Sequence, residues 1–109
     1  MDHRIALGQL GEKIAALVLV GRGVVIIDRN VEVGKGEIDL IVRTGRQRAV
    51  VEVRTVRGDL RLEERFPYAK RRHVRSLAGR VGIHRVDLVA VAIKPFGLEV
   101  HWLRDVPTD

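Results

Sequence analysis

Gly36-Glu37-Ile38-Asp39-Leu40-Ile41-Val42-Arg43-Thr44-Gly45-Arg46-Gln47-Arg48-Ala49-Val50-Val51-Glu52-Val53-Arg54 is the stretch on which the fold turns. Polar and apolar residues alternate on both sides of Thr44-Gly45-Arg46-Gln47, the pattern of two strands joined by a tight turn. Residues two apart in a strand share a face. The first run, Gly36 to Arg43, therefore sets Ile38, Leu40 and Val42 on one face and Glu37, Asp39 and Arg43 on the other, with Ile41 among them. The second run, Arg48 to Thr55, sets Ala49, Val51 and Val53 against Arg48, Glu52 and Arg54, with Val50 among them. Matching apolar face to apolar face constrains the register. A turn centred on Gly45-Arg46 then lays Asp39 across from Glu52 and Glu37 across from Arg54. Directly opposed Cβ atoms lie roughly 4.5–5.5 Å apart, and two carboxylates at that distance repel. A lattice of ion pairs with Arg43, Arg48 and Arg54 would compensate them. So would a divalent cation, because Mg²⁺ takes hard oxygen ligands, commonly one or two carboxylates.

Around the hairpin the periodicity predicts two helices and three more strands. Leu7, Leu10, Ile14, Leu17 and Val18 recur at helical spacing over residues 5 to 20, and Gly21 and Gly23 end the helix. Val24 to Ile27 reads as a short strand, closed by the polar break Asp28-Arg29-Asn30. Residues 56 to 67 are charged, contain Gly58 and Pro67, and read as a loop. A second helix, Tyr68 to Arg80, follows with Val74, Leu77, Ala78 and Val81 on its apolar side. Val86 to Ile93 is apolar on both faces, as a buried central strand is. Leu98 to Leu103 makes the last strand. The order α-β-β-β-α-β-β predicts a mixed central sheet flanked by two helices, with residues 1–109 as one α/β domain.

Composition narrows the function classes. The 109 residues carry a net charge of +6, and sixteen of the twenty cations are arginine. A sequence pI near 10.7 favours a polyanionic partner such as nucleic acid. The absence of cysteine excludes disulfides, zinc–thiolate sites and thiol nucleophiles. The longest apolar run, Ile14 to Val20, is far shorter than the roughly 20 residues of a membrane span, which predicts a cytoplasmic chain with no membrane partner. His3, His73, His84 and His101 lack metal-ligand spacing. Aromatic residues are only 4% of the chain, so recognition of single strands by base stacking is not expected. Arg71, Arg72 and Arg75 on the second helix, with Arg57, Arg61 and Arg65 in the preceding loop, form a basic set suited to phosphates. A solvated basic face offset by Glu63 and Glu64 accounts for the same residues.

The Gly-Glu-Ile-Asp-Leu-Ile block at 36–41, followed by Glu52-Val53-Arg54, resembles the PD-(D/E)xK nuclease motif. More closely, the chain is similar to the YraN-like bacterial family, related by fold to Holliday-junction resolvases and restriction endonucleases. The similarity includes Gly8-Gln9-Leu10-Gly11-Glu12, Arg29-Asn30, Lys70 and Arg85-Val86-Asp87, and so runs along nearly the whole chain. It implies a restriction-endonuclease-like fold and metal-dependent hydrolysis of DNA, branched or structured DNA by analogy with the resolvases. It implies Mg²⁺ or Mn²⁺ held by Asp39 and Glu52 with Glu12 from the first helix, and a two-fold homodimer. Gly8, Ala15 and Ala16 would let that helix approach the hairpin. The third motif position, usually Lys, is Arg54. An Arg can stabilise developing charge but is a poor proton acceptor. Lys70 shares a helical face with Val74 and Leu77 and could stand in for the missing Lys. The alternatives for the chain are a nucleic-acid-binding module whose catalysis is impaired at Arg54, or a protein whose basic face meets an acidic protein.

Overall fold

The computed structural model describes residues 3–61 and 66–108. Leu62, Glu63, Glu64 and Arg65 lie outside the described residues, so the expectations placed on Arg65 and on the two glutamates are not addressed by it. Helix α1 spans His3–Gly21, strands β1 to β3 span Val25–Val33, Gly36–Thr44 and Gln47–Arg57, helix α2 spans Tyr68–Arg80, and strands β4 and β5 span Val86–Lys94 and Gly97–Leu103. The element order matches the expectation. The five strands lie in chain order in one sheet. β3 and β4 run parallel, bridged by α2, and the other neighbours are antiparallel.

The two hairpins are built alike. Gly34 and Gly45 each hold the first central position of a two-residue turn with positive φ, 58° and 60°, the arrangement of a type II′ turn whose twist suits the flanking strands. β2 and β3 pair as Thr44↔Gln47, Val42↔Ala49 and Leu40↔Val51, the register the alternation predicted, but the pairing stops there, so the expected Asp39–Glu52 and Glu37–Arg54 ladder pairs do not form.

α1 covers one face of the sheet and α2 the other. Ala15 and Leu19 of α1 pack on Leu40, Val42, Val51, Val53, Val89 and Val91. Val74, Leu77 and Ala78 of α2 pack with Phe66 on Ile38, Ile41, Val50 and Leu88. Fully burying each such Leu, Val or Phe contributes about 1.5–3 kcal/mol. Val86 to Ala92 in β4 are buried throughout, as expected of a strand covered on both faces. No helix among the described residues is long and apolar enough to cross a membrane.

Three local expectations are corrected. First, the polar break at Asp28-Arg29-Asn30 does not end β1. The strand runs through it, helped by a register shift between Ile26 and Asp28 and by a left-handed backbone at Asn30, φ 51°. Second, β3 extends to Arg57, because Val56 is buried and pairs with Ala92. The loop therefore begins two residues later than its charge suggested. Third, Ile38 does not share a face with Leu40 and Val42. It lies under α2 with Ile41, three residues away, a spacing that strict alternation forbids. The break in alternation falls at Asp39.

Candidate metal and phosphate site

The irregularity at Asp39 makes the site. Val50 donates its N–H to Arg85 on the β4 side, so alternation turns the N–H groups of Val51 and Val53 toward β2. In an unbroken ladder a carbonyl of β2 would receive the Val53 N–H. Instead the Asp39 carboxylate Oδ2 accepts it at 2.8 Å, and the β2–β3 pairing stops at Leu40↔Val51. Beyond that pair the strands part. A cavity of about 620 Å³ there is lined by Glu12, Asp39, Glu52, Arg54, Arg57 and Lys70 among others.

Each side chain is delivered by its element. On β3, Glu52 and Arg54 share a face with Val50 and so turn toward α2. They meet Lys70, with Glu37 and His73 nearby. Glu12 comes from α1 on the other side. That helix lies close because Gly11 has no side chain: a Cβ there would overlap the Thr55 hydroxyl. Gly8, expected to serve this purpose, has open space around it and instead lines the cavity. Gly36 does for α2 what Gly11 does for α1, since a Cβ there would lie 2.9 Å from both Leu77 methyl carbons.

The carboxylates crowd. Glu12, Glu37 and Asp39 can each offer an oxygen such that all three lie within 4.8 Å of one another. Glu52 shares the larger cavity with Glu12 and Asp39. The pKa of Asp39 is pushed up to about 8, first by burial, then by the Glu52 charge and by Glu12, while the Val53 N–H pulls it down. Burial likewise raises the pKa of Glu52, against the opposing pull of Arg54 and Lys70. Asp39 and Glu52, part-buried beside other carboxylates, are short of positive charge. Hard oxygen donors of this kind are the type that Mg²⁺ or Mn²⁺ takes.

Arg54 does not pair with Glu37 as the extended register suggested, because the ladder ends before that point. Its Nη2 lies 3.2 Å from Glu52 Oε1, and its guanidinium carbon sits 5.8 Å from the Phe66 ring centroid. Its Nε is buried with no hydrogen-bond partner among the described residues. Glu37 instead accepts a hydrogen bond from Asn30 Nδ2 at 2.9 Å, and the same nitrogen lies 3.3 Å from Glu12 Oε2. Glu37 and Asn30 are the members of the site that residue-by-residue reasoning left unassigned. Both stood in the motif blocks, but a strand turning left-handed at Asn30 leaves no periodic signal.

The basic residues divide. Lys70 and Arg57 line the main cavity. Arg71 donates its Nε to the Phe66 carbonyl at 2.9 Å and lies over that ring. Arg72 lies over the exposed Tyr68 ring, 5.9 Å from its centroid. Arg61 is exposed on the loop after β3. Arg75 lines a separate cavity beside His84, Asp105 and Val106. The buried Arg85–Asp87 pair belongs to the architecture. Arg85 Nε and Nη2 reach the two Asp87 oxygens at 2.8 Å each, Trp102 Nε1 and the Asp105 N–H complete that carboxylate, and Arg85 Nη1 ties Thr44 and Gln47 at the hairpin turn.

The chain has relatives in sequence and a neighbour in fold. A UPF0102 protein of Rhodococcus jostii is 39% identical over 103 residues, covering 85% of this chain and 87% of its own. One of Clavibacter michiganensis is 38% identical over 102 residues, covering 84% and 86%. One of Dictyoglomus turgidum is 30% identical over 106 residues, covering 88% and 90%. The crystal structure of SSO0001 superposes with a TM-score of 0.53 at 20% identity. It covers 97% of this chain, which spans only 54% of that longer one, and so it shows a shared fold. The model of the Uncharacterised protein family UPF0102 matches residues 11–91, a span holding Glu12, Asn30, Glu37, Asp39, Glu52, Arg54 and Lys70, and the chain belongs to that family.

Proposed function

We propose that this protein is a divalent-metal-dependent phosphodiester hydrolase acting on DNA, with branched or structured DNA as the favoured substrate. The observation that carries the proposal is the convergence of Glu12, Asp39 and Glu52 with Arg54 and Lys70 in one cavity where the sheet splits. Asp39, Glu52 and Glu12 would hold Mg²⁺ or Mn²⁺, with Glu37 beside them. When bound, such an ion supplies a Lewis acid for a phosphoryl oxygen and a lowered water pKa. The chain's own residues do the rest. Lys70 and Arg57 at the cavity draw the phosphate backbone in. Arg54, braced by Glu52 and Phe66, keeps a fixed positive charge against the charge that develops on the reacting phosphate. Partial burial of Asp39 and Glu52 lowers the local dielectric, which strengthens each of these interactions. The preference for branched DNA rests on the resemblance to resolvases, and a two-fold dimer is proposed on the same ground.

One observation favours a second reading, a nucleic-acid-binding module without catalysis. Arg54 occupies the motif's Lys position, is committed to Glu52, and cannot accept a proton. Cleavage of linear, flap and four-way DNAs with Mn²⁺ separates the two. The first reading expects cleavage by the wild type, none by Asp39→Ala, and an unchanged or higher rate for Arg54→Lys. Salt-sensitive binding without cleavage favours the second. No DNA affinity at low salt overturns both.

A further inference from the structure

Asn30 stands where two unusual features meet. Its backbone is left-handed in the middle of a strand, and among the described residues only Asp105 is another non-glycine with positive φ. Its place in the β1–β2 ladder falls between Arg29↔Leu40 and Val31↔Ile38, opposite Asp39. From there its carboxamide nitrogen reaches Glu37 Oε1 at 2.9 Å and Glu12 Oε2 at 3.3 Å. One NH₂ group has two protons, enough for both carboxylates, one from helix α1 and one from strand β2. Asparagine tolerates the left-handed region better than other side-chain-bearing residues. Glycine would tolerate it with no donor, and aspartate would add a charge.

We propose that Asn30 is a positioning residue for the metal site, holding the ligand Glu12 and its neighbour Glu37 beside Asp39 through one neutral donor. The proposal rests on the metal-dependent reading above. A lysine or arginine in its place would also bridge the acids, but its charge would compete with a cation for them. The amide offsets their repulsion while leaving their negative charge, and each carboxylate keeps a second oxygen for an ion. Partners of this kind orient the groups that ligate a metal and raise its affinity.

The test is a Mn²⁺ titration, read by calorimetry, of the wild-type protein, Asn30→Gly and Asn30→Ala. Both variants lack the amide, but Asn30→Gly keeps the backbone unstrained. Both should bind Mn²⁺ about ten- to a hundredfold more weakly, while metal-free Asn30→Gly keeps the wild-type fold by circular dichroism. Asn30→Gly with wild-type affinity would show that Asn30 serves only its turn, and would overturn the proposal while the metal site stands. A wild-type protein that binds no Mn²⁺ would overturn the metal reading and this proposal with it. Should Asn30→Gly fail to fold, the Asn30 carboxamide protons of the wild-type protein decide by NMR. Mg²⁺ should shift them saturably, and a site that responds to Mg²⁺ while they stay fixed overturns the proposal.

Discussion

The Asp39 carboxylate takes the Val53 N–H at 2.8 Å in place of a backbone carbonyl. One side chain thereby ends a strand pairing, opens the sheet between β2 and β3, and places a carboxylate in the gap facing Glu52 from β3 and Glu12 from α1. The metal-free protein bears the cost of that placement in a pH-dependent way.

Asp39→Asn should make this visible. The Asp39 pKa rises on folding from its ordinary 3.8 to about 8. Between those values the folded state binds more protons than the unfolded state, so stability falls as pH rises through the window. Asn keeps an acceptor for the Val53 N–H and cannot ionise. In urea titrations without metal, the two proteins should be alike near pH 4. Above pH 8 the variant should be more stable by more than about 1 kcal/mol. A difference that does not change with pH contradicts the assignment.

Gly11→Ala should destabilise the protein by about 1–3 kcal/mol through overpacking, although alanine is the better helix former by roughly 1 kcal/mol. The new methyl group meets Thr55. Adding Thr55→Gly should recover part of the loss, and a double-mutant cycle on melting data measures the coupling. Additive effects would mean that α1 does not depend on this contact.

Arg85→Leu should cost about 3–5 kcal/mol, since Asp87 is fully buried and would lose its counter-charge. The pair ties β4 to the hairpin turn, away from the split, so the folded variant should bind Mn²⁺ as the wild type does. A selective loss of metal affinity without loss of stability would move this pair into the functional site.

Lys70→Ala and Arg57→Ala should each weaken DNA binding for every sequence tested and lower the salt slope by about one. Arg75→Ala should have less effect, because that residue lines the cavity beside Asp105 rather than the acid cluster. Fluorescence anisotropy across a salt series gives all three values. Equal losses from the three variants would mean that the phosphate track runs along α2 rather than into the split.

Much of this was legible in the sequence. The alternation around Gly45-Arg46 specified the hairpin register through Leu40↔Val51, and helical spacing located α2 at its observed ends. Asp39, Glu52, Glu12 and Lys70 were expected together and line one cavity. Periodicity failed where the backbone departs from period two. Ile38 changes faces because Asp39 diverts the Val53 N–H, and β1 runs through three polar residues because Asn30 turns left-handed. The pairing of Glu37 with Asn30 rather than Arg54 follows from the same split, which no local pattern announces.

The central claim is that the split sheet holds a divalent cation, and a calorimetric Mn²⁺ titration at pH 7.5 and pH 5.5 tests it most directly. The wild-type protein should bind saturably and more tightly at the higher pH, because protons compete for Asp39 and Glu52. Asp39→Ala and Glu52→Gln, folded by circular dichroism, should lose that binding. Equal Mn²⁺ affinity in wild type and both variants, or no binding by any of them, would contradict the account.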